Sequence, residues 1–302
     1  MRNFESRTKL CARLSSTRAA DYLALTKPRL NFLVVATSAA GYYLGAPGGA
    51  GAMDLLAMAS AVAGTALVAG GAAVLNQVYE RDTDALMRRT RTRPLPDGRV
   101  AFAEATLFGL ALSAAGLALL ATRANLTAAL LALATLVVYL IVYTPMKRWS
   151  PLATLVGAVP GALPPLIGWT ASHGGISPGG ASLFAIVFLW QIPHFMAIAW
   201  LYRDDYSKAG FPMLPVVEPD GRRTGRQAVM YSLALVPVSL VPALVGVSAL
   251  AYCAIAFVLG IAMLWLAIQF ATTRDDQSAR RLFFGSITYL PLLWMAMIVT
   301  KL

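Results

Sequence analysis

Nine stretches of the chain stay apolar for about 20 residues each, and short polar segments separate them. They lie near 30–46, 55–79, 101–121, 124–143, 151–170, 181–202, 227–247, 249–272 and 283–300. A run of this length crosses the hydrocarbon core of a bilayer as one α-helix. The backbone of a single segment can satisfy its own polar groups there in no other form. The pattern predicts an all-α integral membrane protein of nine transmembrane helices. Pro47-Gly48-Gly49 closes the first run. Thr144-Pro145 closes the fourth, because proline disfavours helix in the residue before it. Only Gly246–Ser248 separates the seventh run from the eighth.

Composition agrees with a membrane solvent. Of the 302 residues, 58% are hydrophobic and only 13% are charged, against about 25% charged in soluble domains. The positive charges then orient the bundle. The N-terminal arm and the loops after runs two, four, six and eight hold 23 of the 25 Lys and Arg residues; Arg123 and Lys301 are the others. Such asymmetry marks the cytoplasmic side. It fits an odd number of spans with the N-terminus in the cytoplasm, or in the matrix of a mitochondrion. The net charge of +11 is therefore a topology signal, and no nucleic-acid partner is expected.

The chain divides into a basic cytoplasmic arm, 1–29, and one transmembrane domain, 30–302, with long cytoplasmic loops near 80–100 and 203–226. The arm lacks an apolar h-region and reads as a cytoplasmic tail rather than a signal or transit peptide. A bacterial cytoplasmic (inner) membrane is the expected location, with the mitochondrial inner membrane as the alternative. Cys11 and Cys253 suggest neither a disulfide framework nor a thiolate metal site.

Acidic residues contribute little to topology, so the sequence Asn76-Gln77-Val78-Tyr79-Glu80-Arg81-Asp82-Thr83-Asp84 needs another reason. If the second helix continues through it, Asn76, Glu80 and Asp84 fall within about 80° of one another, at intervals of about 6 Å. Asp82 lies nearer the opposite face. One amide and two carboxylates offer hard oxygens of the kind Mg²⁺ takes before recruiting substrate phosphates. Lys27, Arg29, Arg88, Arg89, Arg91, Arg93, Lys147, Arg148 and Lys208 lie in the adjoining segments. Cations gathered around a metal–carboxylate site make a diphosphate pocket; singly, each also reads as a solvated topology charge. A second cluster, Tyr202–Lys208, carries Asp204 and Asp205. His194, within WQIPHF, shares a helix face with Asp205 about 16 Å away. A polar side chain at that depth faces a cavity or the bundle interior, as a substrate contact or as a packed histidine. His173, in SHGG, reads as a loop residue.

Larger motifs narrow the reading: DYLALTKPRL at 21–30, NQVYERDTDALMRRTRTRPLPDGRV at 76–100, YTPMKR at 143–148, PGALPPLIGW at 160–169, WQIPHFMAIAW at 190–200, DYSKAGFPMLPV at 205–216 and ARRLFFGSITYLPLLW at 279–294. By these the chain resembles the haem branch of the intramembrane aromatic prenyltransferase superfamily over nearly its whole length. The resemblance implies nine helices around a central cavity with both polar clusters at its cytoplasmic mouth. It implies transfer of farnesyl from farnesyl diphosphate to a vinyl group of haem B, with addition of water. Asn76, Glu80 and Asp84 would be the Mg²⁺–diphosphate motif, and Asp82 is part of the haem-branch pattern and joins the expected metal set. Lys147 and Arg148 would contact the diphosphate, joined by Lys27, Arg29, Arg89, Arg93 and Lys208. Asp205 and Lys147 are expected to be catalytic with the first motif, and His194 to contact haem. Membrane lipid, haem B and farnesyl diphosphate are the implied partners, with a downstream haem A synthase or terminal oxidase assembly.

One departure stands out. Tyr202 and Tyr206 occupy the places where relatives that prenylate quinone precursors carry aspartates. Prenylation of a quinone precursor is disfavoured by Glu80 and WQIPHF. A transporter is disfavoured because its carboxylates would lie near the bilayer midplane, not at helix ends.

Overall fold

The computed structural model describes residues 18–47 and 54–302. Most of the basic arm, with Cys11, and the Gly48-Gly49 part of the first turn lie outside them. The described chain is helical throughout, apart from one isolated bridge between Ser248 and Lys301. A helix over 18–25, α1, is followed by α2 (Pro28–Gly45), α3 (Leu55–Tyr79), α4 (Arg81–Leu86), α5 (Phe102–Arg123) and α6 (Leu126–Val137). A π-helical stretch, Val138–Tyr143, leads into α7 (Thr144–Met146) and α8 (Ala153–His173). Then come α9 (Pro178–Leu201), α10 (Arg203–Lys208), α11 (Leu214–Val217), α12 (Arg222–Val238), α13 (Val241–Leu244), α14 (Ala251–Thr273) and α15 (Asp276–Val299).

Every apolar run expected from the sequence forms a long helix. Among the described residues, seven are long and apolar enough to cross a membrane: α3, α5, α6 continued through α7, α9, α12 continued through α13, α14 and α15. The other two, α2 and α8, fall short of that apolar standard. They are lined against each other by small residues. A Cβ on Gly168 would meet the Ser38 carbonyl oxygen at 1.9 Å, and one on Gly41 would meet that of Pro165 at 2.1 Å. Small residues at such crossings let backbones approach closely, which is how helices associate when lipid removes the hydrophobic incentive. Most of α8 is buried, so it need not be as lipid-soluble as its neighbours.

Local chemistry sets the ends. Asp54 accepts from the backbone N–H groups of Leu56 and Ala57, Asn125 from Ala128, and Asp275 from Ser278, which satisfies donors left free by the first helical turn. The fourth run does not stop before Pro145. The wider π turn at 138–143 lets the helical path carry on to Met146, and such turns often mark functional sites.

At one end of the bundle the loop after α4 folds back as a cap. Leu95 and Val100 pack on Leu25, Val74 and Ala105. Arg99 forms ion pairs with Asp21 and Asp97. Met87 packs with Ala209 and Phe211, so the loops after α4 and α10 meet over the same helix ends.

Candidate active site

The stripe survives the end of α3. Glu80 leaves helical geometry at φ −94°, ψ 9°, yet its N–H still donates to the Asn76 carbonyl at 2.9 Å, and the Asp84 N–H donates to the Glu80 carbonyl at 2.8 Å. The i, i+4 register is unbroken, so Asn76, Glu80 and Asp84 line one cavity of about 170 Å³. All three are buried. Burying two carboxylates requires partners, and each has one. Lys147 Nζ lies 3.0 Å from Glu80 Oε1, and Arg93 Nη1 lies 2.6 Å from Asp84 Oδ2. Lys27 Nζ donates to Asn76 Oδ1 at 3.3 Å, while Asn76 Nδ2 donates to Thr144 Oγ1 at 3.1 Å.

Lys27 is held there by an unusual backbone. It caps α2 at φ 50°, ψ 57°, before Pro28, a left-handed conformation that costs a non-glycine residue free energy and tends to occur at functional sites. Gln77 braces this turn by donating to the Leu25 carbonyl at 2.6 Å. Burial, with Arg93 and Lys147 nearby, pushes the Lys27 ammonium down to about 7. Burial also raises the Asp84 carboxyl above its ordinary value, with Arg93 opposing. Burial works to lower Lys147, but Tyr143 and Glu80 outweigh it and hold that ammonium above its usual value.

The remaining walls are aromatic and apolar. Tyr139 and Tyr143, from the π turn, have ring centroids 5.4 Å apart, and Lys147 Nζ sits 4.4 Å from the Tyr143 ring centroid. Tyr206, Phe211, Met213 and Met87 close the cavity from the loop side. Arg89 reaches in from the first loop, its guanidinium held over the Tyr202 and Tyr206 rings.

The structure thus gathers Lys27, Asn76, Glu80, Asp84, Arg89, Arg93 and Lys147 into one site. Other expected residues stand elsewhere. Asp82 stands apart from the stripe: its side chain is 85% exposed, pairs with Arg81, and faces a separate groove, because the unbroken helical phase turns it away. Arg148 is exposed and lies over Tyr79 outside the cavity, 5.5 Å from that ring centroid. Arg29 is exposed on the first turn of α2. Asp205 and Lys208 line a neighbouring groove, so the second cluster is not part of the cavity's charge set. His194 lies deeper, stacked between Trp190 and Phe283, with Nδ1 2.7 Å from Ser286 Oγ. Sequence reasoning missed Thr144, Tyr206, Phe211 and Met213, since only the fold brings them to the stripe.

A buried pair of carboxylates facing four cations beneath aromatic walls, at the end of an apolar helical bundle, is the arrangement of a membrane enzyme with an anion-binding site. The chain belongs to the UbiA prenyltransferase family, whose model matches residues 34–292. It is 46% identical over 287 residues to protoheme IX farnesyltransferase of Solibacter usitatus, covering 93% of this chain and 98% of that one. The fold is similar to a solved structure described as digeranylgeranylglyceryl phosphate synthase in membranes, with TM-score 0.79, 17% identity, and coverage of 94% and 98%. It is also similar to a UbiA homolog from Archaeoglobus fulgidus bound to GPP and Mg²⁺, with TM-score 0.64, 19% identity, and coverage of 92% and 99%.

Proposed function

We propose that this prenyltransferase moves farnesyl from farnesyl diphosphate to a vinyl group of haem B, with addition of water, giving haem O and diphosphate. The observation that carries the reading is the cavity in which buried Asn76, Glu80 and Asp84 meet Lys27, Arg89, Arg93 and Lys147. Choice of haem as acceptor is supported by the named Solibacter relative and by the haem-branch motifs.

The donor set fits Mg²⁺. One oxygen of each carboxylate is engaged by a cation, and Glu80 Oε2 and Asp84 Oδ1 make no hydrogen bond among the described residues. Two carboxylates and one amide leave coordination positions for substrate phosphate and water, the ligands Mg²⁺ ordinarily keeps. Asn76, Glu80 and Asp84 would hold it, and when bound it supplies Lewis acidity toward the leaving diphosphate. Lys27, Arg89, Arg93 and Lys147 orient the diphosphate and offset the charge that grows on it as the C1–O bond breaks. Tyr139 and Tyr143 face the cavity along with Tyr206, and the ring faces of the first two, beside the stripe, can steady an allylic cation. Tyr79 and Trp190 are turned away. The vinyl carbon then bonds to C1, and water captures the resulting cation, its proton passing to diphosphate or solvent.

The same reading includes nine spans, with α2 and α8 as inner helices, and the cavity at the cytoplasmic face of a bacterial membrane. It places a haem A synthase or terminal oxidase assembly downstream. Purified protein given haem B, labelled farnesyl diphosphate and Mg²⁺ is expected to yield labelled haem. Product only with a phenolic acceptor, or no turnover, would sink the assignment. Cysteine-accessibility mapping tests the topology: residues flanking α4 should react from the cytoplasmic side.

A further inference from the structure

The segment 279–294, prominent in the sequence, contributes nothing to the diphosphate cavity. It borders instead a groove of about 530 Å³ beside it, between α10 and the start of α15. Arg88, Lys208 and Arg280 line this groove together with Tyr202, Phe283 and Phe284. None of the three cations forms an ion pair among the described residues, whereas Arg203 nearby is paired with Asp276 at 2.9 Å. Arg280 precedes Phe283 and Phe284 by one helical turn, so charge and apolar surface share one face of α15. Phe283 stacks on His194, with ring centroids 5.1 Å apart and planes 23° apart, and Ser286 of the same helix holds His194 Nδ1. An aromatic wall therefore runs from the charged rim inward to His194. Tyr202 links the two compartments: it lines the groove, and its ring lies under Arg89, which lines the diphosphate cavity.

We propose that this groove binds the acceptor by its two propionates, with Arg88, Lys208 and Arg280 receiving the carboxylates and Phe283 and Phe284 meeting the porphyrin. The inference rests on the haem reading above and deepens it. A planar, apolar dicarboxylate matches the groove's chemistry. Asp204, Asp205 and Asp276 share the rim, Asp276 paired with Arg203, so the groove is nearly balanced in charge and suits two separated monoanions, each met by its own cation, rather than a compact diphosphate. An anionic lipid headgroup shares part of that chemistry, and the test separates the two.

The experiment compares haem B with its propionate dimethyl ester as acceptors, in wild type, Arg280→Gln, Arg280→Lys and Arg88→Gln/Arg280→Gln. Wild type is expected to favour haem B over the ester. The double variant is expected to raise KM for haem B roughly tenfold or more, a typical cost for a lost charged hydrogen bond. KM for the ester and for farnesyl diphosphate should stay unchanged, and Arg280→Lys should retain most of the preference. Equal use of haem B and ester by wild type would overturn the proposal, as would parallel losses for both acceptors. Variants that alter only the dependence on anionic lipid would overturn it in favour of a headgroup site. Absence of haem turnover by wild type would overturn the functional reading and this inference with it.

Discussion

The guanidinium of Arg89 lies 5.0 Å from the centroid of the Tyr202 ring and 6.0 Å from that of Tyr206. Among the cations of the cavity it is the one held by π faces rather than by the carboxylates or amide of the stripe, so it is the least committed before substrate arrives. Cation–π contacts of this kind contribute about 0.5–2 kcal/mol. Tyr202→Leu or Tyr206→Leu is therefore expected to raise KM for farnesyl diphosphate several-fold, while Tyr→Phe at either position stays near wild type. Steady-state kinetics on the four variants decide it; equal loss in Phe and Leu variants would show that the hydroxyl, not the ring face, matters.

Glu80 and Lys147 form a largely buried pair at 3.0 Å. Removing one member leaves the other charged and unpaired, at a cost of about 3–5 kcal/mol for a fully buried pair. Glu80→Gln should lower turnover at least a hundredfold with the protein still folded. In thermal melts Glu80→Gln/Lys147→Met should be less destabilised than the sum of the single variants, because each single change strands the other member of the pair and the double variant strands neither. Strict additivity, or near-normal turnover in Glu80→Gln, would refute the coupling.

Lys27 gives the site a pH signature. In the free protein its ammonium titrates at about 7, and a bound diphosphate favours the charged form. Metal-free diphosphate binding should thus show little pH dependence from Lys27 well below pH 7, where it is already charged. Above pH 7 binding takes up a proton, and affinity falls by as much as tenfold per unit, the limit for one linked proton. Lys27→Arg, always charged, should flatten this part of the profile. Calorimetric titration of both proteins between pH 6 and pH 9 separates Lys27 from titration of the ligand; identical slopes would refute the linkage.

His194 is fixed on three sides, by Trp190, Phe283 and Ser286. His194→Ala is expected to weaken haem B binding while leaving farnesyl diphosphate binding intact, with Ser286→Ala producing a smaller change of the same kind. Absorbance titrations with haem B and competition with labelled donor measure the two affinities separately. Matching losses of both ligands would assign His194 to packing alone.

The sequence by itself determined everything governed by local period and by the bilayer. The apolar runs became helical, because burying a backbone in hydrocarbon leaves a segment one solution; the polar ends were less legible, since α15 starts at Asp276, before its apolar run, and the seventh run breaks after Val238. The Asn76, Glu80, Asp84 stripe, and the turning away of Asp82, followed from 3.6 residues per turn. What only the tertiary structure decided were the partners across long stretches of chain: Lys147 for Glu80, Arg93 for Asp84, Lys27 for Asn76. The sequence offered a ring of basic residues without ranking them, and it placed Asp205 and Lys208 with the first motif. Docking of the two loops through Met87, Ala209 and Phe211 sent those two into the neighbouring groove and brought Tyr206 inward. Helix phase is set by the chain's own geometry. Which charges become buried together is set by how separately formed helices pack, and no local pattern encodes that.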